Sequence, residues 1–109
     1  MKPRIAFALA AIALAGSAGT AAAAGLELTA GKVRTDPAGA YVTVAVKNTG
    51  TELAAQTQVN CAFFANKRAL GKSSTVLFAI VPGVTGTDQV RMLGATSANR
   101  AECAIAGQK

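Results

Sequence analysis

Two cysteines, Cys61 and Cys103, are the residues of this 109-residue chain with the clearest chemistry to do. They stand 42 positions apart, far from the C-x-x-C spacing of redox pairs, and zinc would need further Cys or His ligands beside them. Joined as a disulfide they close a long loop, which stabilises a fold by about 4 kcal/mol through the entropy removed from the unfolded chain. Histidine is absent, and with it the commonest general base, the commonest metal ligand and every Ser-His or Cys-His nucleophile. The five carboxylates, Glu27, Asp36, Glu52, Asp88 and Glu102, come from five separate segments, and no spacing requires any two to meet as an acid–base pair. Gly71-Lys72-Ser73 looks like the end of a phosphate-binding loop, but that motif needs a glycine at position 66, which is Asn. The tripeptide also falls between predicted strands, with no helix N-terminus to hold a phosphate. No catalytic residue, metal ligand or cofactor site is therefore assigned, and Cys61 with Cys103 forms the single assigned pair, a structural disulfide.

A disulfide needs an oxidising compartment, and the amino terminus supplies the route to one. Lys2 and Arg4 lead an apolar run from Ile5 to Ala15, and small residues follow to Ala22-Ala23-Ala24-Gly25. This is the pattern of a signal peptide cut after Ala24. The apolar run is shorter than the roughly 20 residues that span a bilayer. The expectation is a cleaved leader over 1–24, a single domain over 25–109, and release into a periplasm or the medium with no transmembrane segment in the mature chain. A domain of that size sits near the lower limit for stability from an apolar core alone, where a covalent staple is a common remedy.

The formal charge is +6, and removal of Lys2 and Arg4 with the leader lowers it to +4. Such a balance favours solubility and weak attraction to anionic surfaces. Apart from Lys67, Arg68 and Lys72 the basic residues are scattered, and no aromatic residues interleave them as a nucleic-acid surface requires. No nucleic-acid partner is expected.

The elements that must position the cysteines read as short strands, with apolar and polar residues alternating and Gly, Pro and Asn breaking the pattern at intervals. Leu26 and Leu28 begin a first strand that runs toward Val33, before Asp36-Pro37-Ala38-Gly39 turns the chain. Tyr41 to Lys47 places Val42, Val44 and Val46 on one face, a core row. From Leu53 to Phe63 the odd positions, Cys61 among them, form a dry face. A helix competes for this segment, because Thr49-x-x-Glu52 resembles a capping box and Val59, Ala62, Phe63 and Leu70 share a helical side. The β-branched and aromatic residues favour the strand. Ala69 to Ser73 reads as a short edge strand and Thr75 to Val81 as a buried one carrying Val76, Phe78 and Ile80 inward. Pro82-Gly83 turns the chain into a further strand from Val84 to Met92, with Val84, Val90 and Met92 on one side. The last strand, Arg100 to Ala106, points Ala101, Cys103 and Ile105 inward, so the bridge either joins neighbouring strands or clamps two sheets.

Val44-x-Val46-x-Asn48, Val59-x-Cys61-x-Phe63-Phe64, Pro82-Gly83 and Ala101-x-Cys103-x-Ile105, taken in order, resemble the small immunoglobulin-like sandwiches of bacterial exported proteins, of the FxLYD type. The run Cys61-Ala62-Phe63-Phe64-Ala65 corresponds to the Phe-x-Leu-Tyr-Asp stretch, with Cys61 and Ala65 replacing its first and last residues. The resemblance implies an all-β, immunoglobulin-like antiparallel β-sandwich of six or seven strands with no catalytic residues. The expected role is a small exported binding or accessory module without enzymatic activity. Its partner would be another envelope or secreted protein, met through an exposed loop or an exposed edge such as Ala69 to Ser73 or Val84 to Met92. A secreted inhibitor is the alternative, with Asn66 to Arg68 or Gly94 to Asn99 as its exposed loop. An envelope-surface component held by positive charge is another.

Overall fold

The computed structural model describes residues 19–23 and 25–109, so the expected leader over 1–24 lies largely outside the described residues. Eight strands account for most of what is described: β1 (Gly19–Ala23), β2 (Leu26–Ala30), β3 (Arg34–Asp36), β4 (Gly39–Asn48), β5 (Ala54–Ala65), β6 (Arg68–Ile80), β7 (Thr85–Leu93) and β8 (Arg100–Gln108). Among the described residues there is no helix, and so none long and apolar enough to cross a membrane. The segment for which a helix competed is β5.

All pairings are antiparallel. In one sheet β4 is flanked by β2 and β3 along one edge and β7 along the other, and β1 lies outside β2. In the second sheet β5 lies between β6 and β8. Buried side chains from both sheets meet in one core, with Leu26, Leu28, Val42, Val44, Val46 and Val90 on one side and Val59, Cys61, Phe63, Leu77 and Ile80 on the other. The row Val42, Val44, Val46 is fully buried, as its alternation requires, and Ala40 and Asn48 extend it at both ends. On β5, Thr57, Val59, Cys61 and Phe63 face inward while Gln56, Gln58 and Asn60 are exposed.

Several strands differ from their reading in the sequence, each for a local reason. The first strand breaks at residues 31–33 and resumes as β3, although both parts pair with β4. Conversely, Ala69 to Ser73 and Thr75 to Val81 belong to one strand, β6. The polar residues at the join stay in the ladder with β5, Ser73 opposite Cys61 and Thr75 opposite Val59, while Ser73 Oγ donates across to the Arg91 carbonyl of β7 (2.7 Å) and Thr75 Oγ1 to the Asp88 carboxylate. The inward residues of β6 are Leu77 and Ile80, whereas Val76 and Phe78 are exposed. Ala79 has φ 55°, and this left-handed residue shifts the alternation by one so that Ile80 returns to the core. The start of β5 is out of phase in the same way, with Ala54 buried and Leu53 turned outward, and Val84 is also exposed.

The two sheets are tied by one buried polar side chain. Asn48, 2% exposed, ends β4, and its Nδ2 donates to the carbonyls of Glu52 (2.8 Å) and Ile80 (2.7 Å). Its Oδ1 accepts from the Gly50 amide at 3.0 Å. Burying an amide is costly unless its groups are paired, and here both ends are.

Candidate functional site

The cysteines fall on adjacent strands of one sheet. Cys61 on β5 and Cys103 on β8 are opposed in the register, with Cα atoms 4.0 Å apart and sulfurs 2.02 Å apart, at disulfide distance. Of the two geometries open to the sequence, the structure takes the one that joins neighbouring strands. The pair therefore lies within one sheet, and the linkage between sheets falls to the apolar core, to Asn48 and to the Ser73 and Thr75 hydroxyls that reach from β6 to β7.

Three rungs beyond the cysteines, Phe64 faces Arg100, and there both strands leave the sheet. The chain leaves β5 by the turn Asn66-Lys67 into β6, and Asn66 takes φ 55°, a conformation asparagine tolerates better than most residues. It enters β8 from residues 94–99. The two candidate loops, separate in the sequence, are thus brought together at one end of the molecule. Asn99 Nδ2 donates to Asn66 Oδ1 (2.8 Å), and the Asn66 amide donates to Asn99 Oδ1 (2.9 Å). The Asn99 amide donates to the Phe64 carbonyl at 2.9 Å, and Arg100 donates to the Asn66 carbonyl at 3.2 Å. Arg100 also lies 4.1 Å over the Phe64 ring and pairs with Glu102. A cation on an aromatic face adds about 0.5–1 kcal/mol at an exposed site. Within the loop pair Ala95 and Ala98 are buried, while Lys67 and Arg68 are exposed. The result is a polar, basic end whose backbone is held by reciprocal amide bonds.

The two edges expected to receive a partner strand lie side by side. Residues 69–73 fall in β6 and 85–92 in β7, and Ser73 and Thr75 reach from one to the other. Beside them Arg91 pairs with Asp36 at 3.2 Å and lies 5.0 Å over Tyr41. The Ala38 amide, followed by Arg91 and the Gly39 amide, holds the Asp36 carboxyl below its ordinary value near 3.8 despite the opposing effect of desolvation.

Three of the five carboxylates thus have partners: Asp36 with Arg91, Glu102 with Arg100, and Asp88 with Thr75 and the Gln89 amide. Among the described residues no group of three or more His, Cys, Asp or Glu side chains could hold a metal ion. No family model, no curated protein and no solved structure matches this chain. The pairing of Asn66 with Asn99 was beyond reach of the strand pattern, because each asparagine alone reads as a turn residue.

Proposed function

We propose that the chain is an exported, non-catalytic binding module of immunoglobulin-like type, released into a periplasm or the medium after loss of 1–24. It acts on another envelope or secreted protein through the paired loops at Asn66–Arg68 and Gly94–Asn99. The strand partition supports the immunoglobulin-like reading, since β2, β4 and β7 share one sheet and β5, β6 and β8 the other. The observation that carries the binding reading is the reciprocal Asn66–Asn99 amide pair above the Cys61–Cys103 rung. Loops held before a partner arrives lose less entropy on binding, and that saving appears directly as affinity. Lys67 and Arg68 at the tip favour an acidic surface on the partner.

The test is site-specific photocrosslinking in the envelope. A crosslinker at Lys67 and another at Thr96 should capture the same partner, one at Leu53 at the far end should not, and K67E/R68E should abolish capture. Equal capture from Leu53, or different species from the two loops, would contradict the assignment.

A further inference from the structure

The two flanks of the sandwich are closed in different ways. On one flank β6 and β7 lie against each other through Ser73 and Thr75. On the other, β2 is paired along its whole length with β1, from Gly19 opposite Ala30 to Ala23 opposite Leu26, and β1 also lies beside β8. That covering strand belongs to the segment whose removal the proposed export requires. Gly25, the first residue after the proposed cut, has φ 73° and leads directly into β2. Residues on the far side of the cut are independently held. The Gly25 carbonyl accepts from the Thr49 (2.9 Å) and Gly50 (3.2 Å) amides, and β2 pairs with β4 from Leu26 opposite Asn48 to Ala30 opposite Val44. Cutting therefore removes β1 and leaves β2 in place with an unpaired row of backbone donors and acceptors. Natural sheets seldom leave such an edge open.

We infer that cleavage after Ala24 unmasks the β2 edge as a second binding surface, which takes an extended strand of small, uncharged residues from another exported chain. The inference rests on the proposed export and cleavage. The chemistry of the occupant follows from the strand seated there, Gly19-Thr20-Ala21-Ala22-Ala23, which has no charge and no bulky side chain and passes beside β8. Main-chain hydrogen bonds supply the affinity in strand addition, and the neighbouring strands limit which side chains fit. A second copy of the mature chain is disfavoured as donor, since it begins at Gly25 and no longer carries this segment.

The exported product is recovered from the envelope, its intact mass is measured, and amide exchange of residues 26–30 is followed with and without a synthetic peptide of residues 16–24. For a product lacking 1–24, saturating peptide should slow exchange along β2 about tenfold, while the same peptide carrying Ala21→Pro, which loses a backbone donor, should leave it unchanged. A trimmed product that the peptide does not protect overturns the inference and leaves the export reading standing. Protection that rises with protein concentration in the absence of peptide assigns the edge to a second copy and overturns the choice of occupant. A product still carrying Met1 overturns the export reading, and the unmasking with it.

Discussion

Replacing Asn48 by alanine tests how much the one buried polar side chain contributes to joining the two sheets. Its Nδ2 holds the Glu52 and Ile80 carbonyls and its Oδ1 the Gly50 amide, at 2.7–3.0 Å. The two partly buried bonds are worth about 1 kcal/mol each, and the buried Ile80 carbonyl, left without a donor, costs about 1–3 kcal/mol more. The expected loss is about 3–5 kcal/mol. At roughly 4–8 °C per kcal/mol for a domain of this size, the midpoint should fall by at least about 12 °C. Thermal unfolding followed by circular dichroism, backed by urea titration, measures both quantities. Asn48→Asp separates hydrogen bonding from packing, since it keeps the volume but turns carboxylate oxygens toward carbonyls at neutral pH. Protonation restores one donor, so N48D should regain stability relative to wild type as the pH falls. A loss below about 1 kcal/mol for N48A, or no pH dependence for N48D, would refute the reasoning.

Thr57 is fully buried, and its hydroxyl has no partner among the described residues, so Thr57→Val should raise stability by about 1 kcal/mol in urea unfolding. A Cβ on Gly39 (φ 157°) would stand 2.2 Å from the Met92 carbonyl oxygen, so Gly39→Ala should cost more than about 3 kcal/mol. At Gly71 the same addition meets the mobile end of the Met92 side chain, and G71A should cost clearly less in the same assay. Because the Asp36 carboxyl titrates below 3.8 in the fold, its contribution is present above that value and is lost as the pH falls through the folded value. The stability gap between wild type and Asp36→Asn should therefore be widest near neutral pH and close in acid, read from midpoints across a pH series.

Legibility in the sequence followed the range of each interaction. The valine row of β4 and the inward face of β5 from Thr57 to Phe63 were readable because side-chain alternation is local. Leu53 and the Val76, Phe78 pair were misplaced because alternation is only as good as its phase. Ala79 at φ 55° shifts that phase without any Gly or Pro to announce it. β6 read as two strands because its serines and Thr75 look like a loop until β7 is beside them to accept their hydroxyl protons. Asn48 and Asn66 both read as turn residues. What they do depends on partners 32 and 33 positions away, and no periodicity carries such information. The cysteines were legible as a pair that meets at disulfide distance, but whether they met within a sheet or between sheets depended on which strands became neighbours.

Intact-mass analysis of the protein recovered from the cells that make it and from their medium, under non-reducing conditions, tests the central claim most directly. The predicted mass is that of residues 25–109 less the two thiol hydrogens of Cys61 and Cys103, with tryptic peptides linked through those residues. A product that retains Met1, or whose cysteines are both alkylated without prior reduction, would contradict an exported module with its loop pair fixed above a covalent rung.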